Sequence, residues 1–165
     1  MERYINFLIF LLLAVLIGFN TSLTFVITPL IFSHFNARLA GEIVSVIFPY
    51  YFASGWIIGI AIYTLIAIIS LKDKNIVKKL KGFIIGLSIL IISFMALHKT
   101  VLPIAQSLKN SYYMLIDKGE KEKAKIVYDK FKTVHMISSS LNLFNLILEL
   151  YLFYYMYAYV NRKEE

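Results

Sequence analysis

The stretch VHMISSSLNLFNLILELYLFYYMYAYV, residues 134–160, decides the fold of this chain. As a helix it is long enough to cross a membrane, because about 20 apolar residues span a hydrocarbon core about 30 Å thick. Three other apolar segments of comparable length lie at residues 5–32, 44–70 and 82–104. The sequence therefore predicts an all-α fold, an integral membrane four-helix bundle that forms a single transmembrane domain over residues 1–165.

The composition supports a membrane protein and removes several other classes. Of the 165 residues, 59% are hydrophobic, and the mean hydropathy is +0.72, outside the range of ordinary soluble domains. The chain has no cysteine, which excludes disulfides, thiolate metal ligands and cysteine nucleophiles. The net charge of +7 comes from lysines in the short connections, where basic residues meet anionic lipid headgroups. We expect the lipid bilayer, and not nucleic acid, to be the partner.

The region around the start of the second apolar segment carries several local signals. Residues 33–43 form a short amphipathic connection, which we expect to lie at the membrane surface as a short helix before the second span. Pro49 is expected near the start of that span, where a missing N–H is tolerated. Tyr50, Tyr51 and Trp56 are typical of interfacial aromatic anchors.

Two small features predict contacts between helices. Gly55 and Gly59 form a G-x-x-x-G pair, which permits a close approach of a second helix. Asn20 shares one helix face with Thr24 and Thr28. An amide is harder to satisfy within its own helix than a threonine hydroxyl, so we expect Asn20 to reach a neighbouring helix.

The basic residues also bear on orientation. Lysine and arginine are divided almost equally between the two sides of a four-span bundle, so the positive-inside rule is nearly tied. The dense run of five lysines in residues 71–81 favours both termini in the cytoplasm. We expect the chain to lie in a bacterial inner (cytoplasmic) membrane.

A line of polar side chains runs through the last apolar segment. His135, Ser138, Asn142, Asn145 and Glu149 follow one another at spacings of 3, 4, 3 and 4 residues. They fall within roughly an 80° arc of one helix face, and we call them the polar stripe. Amides and a carboxylate are costly in hydrocarbon unless they face protein, water or a ligand. We expect the polar stripe to bind or pass a small solute or ion.

Two histidines suggest an alternative hypothesis, in which the protein binds a cofactor. His98 lies five residues before Pro103 at the end of the third segment, and His135 lies at the start of the fourth. Antiparallel neighbouring helices would place them at a similar depth. Two histidines are the minimum for axial ligation of a haem, or for half of a copper or zinc site. A haem- or copper-dependent redox protein with His98 and His135 as ligands is therefore the alternative.

A third hypothesis, which we call the packing alternative, gives the polar stripe a purely structural role. A neutral Glu149 bonded to Asn145, or to the first or second segment, would hold helices together, within one chain or at the seam of a homo-oligomer. The sequence has no Gly-rich phosphate loop, no HExxH and no GxSxG motif, so an enzyme is not favoured and catalytic residues stay unknown.

Two parts of the sequence resemble a known family. They contain TPLIF at residues 28–32, Ala40-Gly41, FPYYF at 48–52, and the pattern Phe131-x-x-x-His135-x-x-Ser138-x-x-x-Asn142. In these stretches the chain resembles the transmembrane-protein-205-like family, small four-helix membrane proteins with a domain of unknown function. The family pattern falls on Pro29, Phe32, Gly41, Phe48, Pro49, Tyr51, His135, Ser138 and Asn142.

The resemblance implies a multi-pass membrane protein without an established activity. The chain departs from the family at His98, where relatives tend to have a different polar residue. More remotely, the four-helix plan is similar to that of copper-resistance membrane proteins and haem-binding membrane protoporphyrinogen oxidases. That likeness is one of architecture and intramembrane histidines.

Overall fold

Four long helices make up the structure, a computed structural model that describes residues 2–162. The helices are α1 (Glu2–His34), α2 (Ala37–Ser70), α3 (Lys81–Asp117) and α4 (Lys121–Asn161), with a single helical turn at Ile76–Lys79. All four are long and apolar enough to cross a membrane, and no strand occurs in the described part of the chain. The predicted all-α membrane bundle is confirmed.

The helices pack in a ring that follows chain order. Each of α1 to α3 packs on the next helix, and α4 also packs on α1. The connections after α1 and after α3 therefore lie on one side of the bundle, which we call the hairpin side. With 37 and 41 residues, α3 and α4 are about 55 and 60 Å long, well beyond a core of about 30 Å. Their paired ends extend past the apolar region on the hairpin side, where Gly119 makes the turn with a φ of 76°.

Two prolines are accommodated by wide helical turns. A proline has no N–H and its ring crowds the carbonyl one turn earlier, so a regular α-helix cannot continue undisturbed. A π-helical turn precedes each: Leu23–Ile27 before Pro29, and Leu97–Val101 before Pro103. In the second turn the Leu102 N–H bonds to the Leu97 carbonyl, so the helix continues through the disturbance.

The start of α2 differs from the sequence-based prediction. Residues 37–43, expected as part of a separate amphipathic helix, are the first turns of α2 itself, and only Phe35 and Asn36 interrupt the helices. The Asn36 side chain caps α2 by accepting a 3.0 Å hydrogen bond from the Leu39 N–H. Pro49 consequently lies well inside α2, not near its start.

The G-x-x-x-G pair of α2 makes the expected close contact, with α3. A Cβ atom built on Gly55 would lie 2.5 Å from the Phe94 ring, and one on Gly59 would lie 2.5 Å from Ile91 Cγ1. Real Cβ atoms do not approach so closely, so these side chains use the space that glycine leaves. The contact continues the buried core of the bundle, in which Phe94 is fully enclosed.

Candidate functional site

The polar stripe turns toward the interior of the bundle along α4. His135, at the hairpin side, is exposed, and Ser138 is half-buried. Further along, Asn142 is buried, while Asn145 and Glu149 have no exposed surface at all. The stripe therefore has two parts: an accessible one (His135, Ser138 and one face of Asn142) and an enclosed one (Asn145 and Glu149).

Asn142 is the centre of a hydrogen-bonded network. Its Oδ1 accepts a 2.9 Å hydrogen bond from the Tyr51 hydroxyl of α2. Its Nδ2 donates to Thr24 Oγ1 at 2.9 Å and to Asn20 Oδ1 at 3.2 Å, both on α1. Three helices are thus tied together at one amide, which satisfies buried polar groups that would otherwise be costly.

Asn20 extends the network deeper into the bundle. Its Oδ1 also accepts from Thr24 Oγ1 at 3.1 Å, and its Nδ2 donates to Glu149 Oε2 at 3.4 Å. The expectation that Asn20 reaches a neighbouring helix is confirmed. Glu149 Oε1 and both polar atoms of the Asn145 side chain are buried without a hydrogen-bond partner within the described residues. The network is therefore complete at Asn142 and incomplete one to two turns further along α4.

Tyr51 is not the interfacial anchor that the sequence suggested. Its side chain has no exposed surface, whereas that of Tyr50 is 75% exposed. Tyr51 packs edge-on against Phe94 with ring centroids 5.8 Å apart, and its hydroxyl is committed to Asn142. The signal that could have found it is the helical period, since Tyr51 precedes Gly55 by four residues and so shares its face.

A cavity of about 280 Å³ lies between the four helices toward the hairpin side. The accessible part of the polar stripe forms its α4 wall, and Asn142 lies at the meeting point of the cavity and the network. The other polar side chains that line it are Thr24, Thr28, Ser45, Gln106, Lys109 and Ser139. Asn145 and Glu149 do not line the cavity.

Aromatic and aliphatic side chains form most of the cavity wall. Phe32 of α1, Phe48 and Phe52 of α2, and Phe131 of α4 face it from three helices. Phe131 also stacks on His135, with ring centroids 5.8 Å apart and planes inclined by 18°. A small number of polar groups set in an apolar wall is the usual chemistry of a small-molecule site.

Two polar residues of α3 complete the wall and were missed at the level of sequence. Gln106 Nε2 donates to the Ser45 carbonyl at 3.0 Å, and Lys109 Nζ donates to the Gly41 carbonyl at 3.0 Å. Lys109 had no distinguishing signal, because it is one of seven lysines in the stretch 105–133. Only the continuation of α3 past Pro103 places it against α2.

The two histidines of the cofactor alternative have different surroundings. His98 is half-buried and does not line the cavity. Its Nδ1 accepts a 3.2 Å hydrogen bond from Trp56 Nε1, and the two rings are stacked. A neutral His98 then carries its hydrogen on Nε2, so neither nitrogen has a free lone pair for a metal. The pairing of His98 with His135 stays a prediction; residues 2–162 hold no cluster of three or more His, Cys, Asp or Glu side chains suited to a metal.

An ion pair fixes the hairpin side outside the cavity. Arg38 of α2 donates to both carboxylate oxygens of Asp117 at the end of α3, at 2.9 and 3.0 Å. The Arg38 guanidinium also lies 4.9 Å from the centroid of the Tyr113 ring. This pairing joins the end of α3 to the start of α2, next to the hydrogen bonds by which Gln106 and Lys109 contact α2.

These features define a multi-pass membrane protein, a four-helix bundle with a polar cluster in its interior. Residues 11–113 match the family described as a domain of unknown function (DUF4149), and the chain belongs to that family. The match includes the TPLIF and FPYYF stretches and ends before residues 131–142, and the transmembrane-protein-205-like name is not confirmed by it. No curated protein and no solved structure matches the chain.

Proposed function

We propose that this protein binds a small solute in the cavity between its four helices, against His135, Ser138 and Asn142. One observation carries the proposal: the accessible part of the polar stripe lines a cavity to which all four helices contribute. A stripe that only joined helices would have its polar groups satisfied by other helices. Ser138 and His135 make no side-chain hydrogen bond to the rest of the described chain, so their donors and acceptors are available to a ligand.

Asn142 would accept a hydrogen bond from the ligand, with its side chain already held in a fixed orientation. Both hydrogens of its amide nitrogen are taken by Asn20 and Thr24, and one lone pair of its oxygen is taken by Tyr51. The second lone pair of Oδ1 is left for a donor on the solute. Because three helices hold this amide, its orientation does not have to be organised when the solute binds.

We assign Asn145 and Glu149 to an inner position of the same site. They lie beyond Asn142, and Asn20 bridges Asn142 and Glu149. An unpaired carboxylate oxygen and an unpaired amide are suited to a small ion or a proton that accompanies the solute. In the packing alternative, a neutral Glu149 bonded to Asn145, or to the first or second segment, would instead hold helices together.

Accessibility of Ser138 to water tests the proposal directly. Because the chain has no cysteine, Ser138→Cys introduces a single thiol. We expect a charged, membrane-impermeant thiosulfonate reagent to label this thiol in membranes, since such reagents react with the thiolate in water. The matched control is Ser140→Cys, two residues along α4, which is exposed on the bundle surface and does not line the cavity. We expect that thiol to lie in lipid and to react at least tenfold more slowly.

The labelling has two further outcomes. Equal and slow labelling of the two thiols would contradict a solvent-connected cavity and favour the packing alternative. Applied to intact cells, the same reagent tests the proposed orientation, because cytoplasmic termini place the hairpin side, and the cavity mouth, outside the inner membrane. Protection of the Ser138→Cys thiol from the external reagent, with labelling in inverted vesicles, would reverse that orientation.

A further inference from the structure

We propose that the ligand of the cavity is a single-chain amphipathic anion of the fatty-acid type, whose carboxylate pairs with Lys109. This inference rests on the proposed function and names the chemical class of the solute. It stands on three features of the cavity: a cation at its wall that forms no ion pair, a hydrocarbon-like lining, and a position at the membrane boundary.

The cation is Lys109. It is half-buried, and one of its three N–H groups is used by the Gly41 carbonyl, so two donors remain. Among residues 2–162, no aspartate or glutamate lines the cavity. Lys109 takes part in none of the ion pairs among residues 2–162, in contrast to Arg38, which pairs with Asp117. Glu42 of α2 attracts the Lys109 ammonium electrostatically, but it forms no ion pair with Lys109 and does not line the cavity. A partly desolvated ammonium that no carboxylate pairs with favours an anionic ligand.

The lining fits a hydrocarbon chain. Four phenylalanines, Phe32, Phe48, Phe52 and Phe131, face the cavity from three helices, together with Val44 and Leu102. A strongly hydrated anion such as free phosphate or sulfate would gain nothing from these rings and would lose its water. A volume of about 280 Å³ lies just below the usual range of ligand pockets, which suits one chain better than two.

The position of the cavity matches that of an anionic headgroup in a leaflet. Lys109 lies five residues after the predicted third apolar segment, about 7.5 Å along the helix from its end. Basic residues at this level meet the charged headgroups of the membrane. A fatty acid in the bilayer therefore already holds its carboxylate at the depth of Lys109, with its chain at the depth of Phe48 and Phe52, which lie inside the second apolar segment.

Binding of radiolabelled oleate to the full chain in detergent tests the inference, with monoolein as an uncharged probe of the same chain length. We expect Lys109→Gln to weaken oleate binding at least tenfold and to leave monoolein binding unchanged, because only the carboxylate interacts with the ammonium. Lys99→Gln is the matched control: Lys99 lies on the same helix, is exposed and does not line the cavity. We expect Lys99→Gln to bind oleate as the parent protein does, and Lys109→Arg, which keeps the charge, to retain binding within about threefold.

Several results would overturn the inference. Equal loss of oleate binding in Lys109→Gln and Lys109→Arg, with unchanged melting temperatures, would show that the charge is not recognised. If oleate and monoolein bind equally well and Lys109→Gln changes neither, the carboxylate charge is again not recognised. The cavity would in that case still be a ligand site. If neither probe binds but the Ser138→Cys thiol is labelled from water, the lipid class is wrong and the proposed function stands. Slow labelling of that thiol would instead count against the proposed function itself.

Discussion

Replacement of Asn142 by leucine is expected to lower the free energy of unfolding by about 2 kcal/mol. The substitution removes three side-chain hydrogen bonds that join α4 to α1 and α2. It also leaves the fully buried Tyr51 hydroxyl without its acceptor, and an unsatisfied buried donor costs more than the average bond contributes. Reversible unfolding in mixed micelles with increasing dodecyl sulfate, followed by helical circular dichroism, measures the change.

The matched control is the same substitution at Asn145. This residue is three positions along the same helix and fully buried, but its side chain has no hydrogen-bond partner among the described residues. Asn145→Leu removes a desolvated amide and adds apolar surface, so we expect unchanged or higher stability. The difference in the free energy of unfolding between the two variants therefore measures the contribution of the hydrogen-bonded network, separately from the effect of introducing a leucine.

The same two variants also test the packing alternative. If Asn145→Leu destabilises the protein as much as Asn142→Leu does, Asn145 has a partner inside the bundle, as the packing alternative requires. If Asn142→Leu stabilises the protein, the hydrogen bonds of Asn142 do not stabilise the bundle. The proposal that these bonds hold Asn142 in a fixed orientation for the ligand then fails. Stability loss at Asn142 alone is the expected outcome.

The sequence predicted those features that depend on one helix at a time. Apolar length gave the four spans, and helical spacing put Asn142, Asn145 and Glu149 on one face, which the structure places inside the bundle. Asn20 was correctly expected to reach another helix, because an amide in an apolar segment has few partners within its own helix. These are local consequences of period and polarity.

Features that depend on how helices meet were not predictable in this way. Tyr51 looks like an interfacial aromatic until α4 is placed opposite it, and only then does its hydroxyl have Asn142 as a partner. Lys109 looks like one loop lysine among several until α3 is seen to continue through Pro103. The second error has a local cause: the predicted third segment ends at residue 104, beside Pro103, whereas a π-helical turn allows α3 to pass this proline.

Replacement of Gly55 by leucine is expected to destabilise the bundle by about 3 kcal/mol or more. The first added atom alone would lie 2.5 Å from the Phe94 ring, and three more atoms must follow it into the same space. Phe94 cannot give way easily, because it is fully buried and packs against Tyr51 and Phe52. The unfolding assay in mixed micelles measures the loss of stability. If the loss is large enough to prevent folding, we expect a strongly reduced yield of folded protein.

Gly18→Leu isolates this steric effect from the change of residue type. A Cβ atom on Gly18 meets nothing within 4 Å, and the residue is exposed on α1, so leucine there has room to face lipid. Because glycine is a poor helix former, we expect this variant to be as stable as the parent or slightly more so. Comparable losses in both variants would mean that glycine is needed for a backbone reason unrelated to Phe94, and the close contact of α2 with α3 would lose its explanation. A loss confined to Gly55→Leu would assign the destabilisation to the close contact with Phe94, whose ring also packs on Tyr51, the hydrogen-bond donor to Asn142.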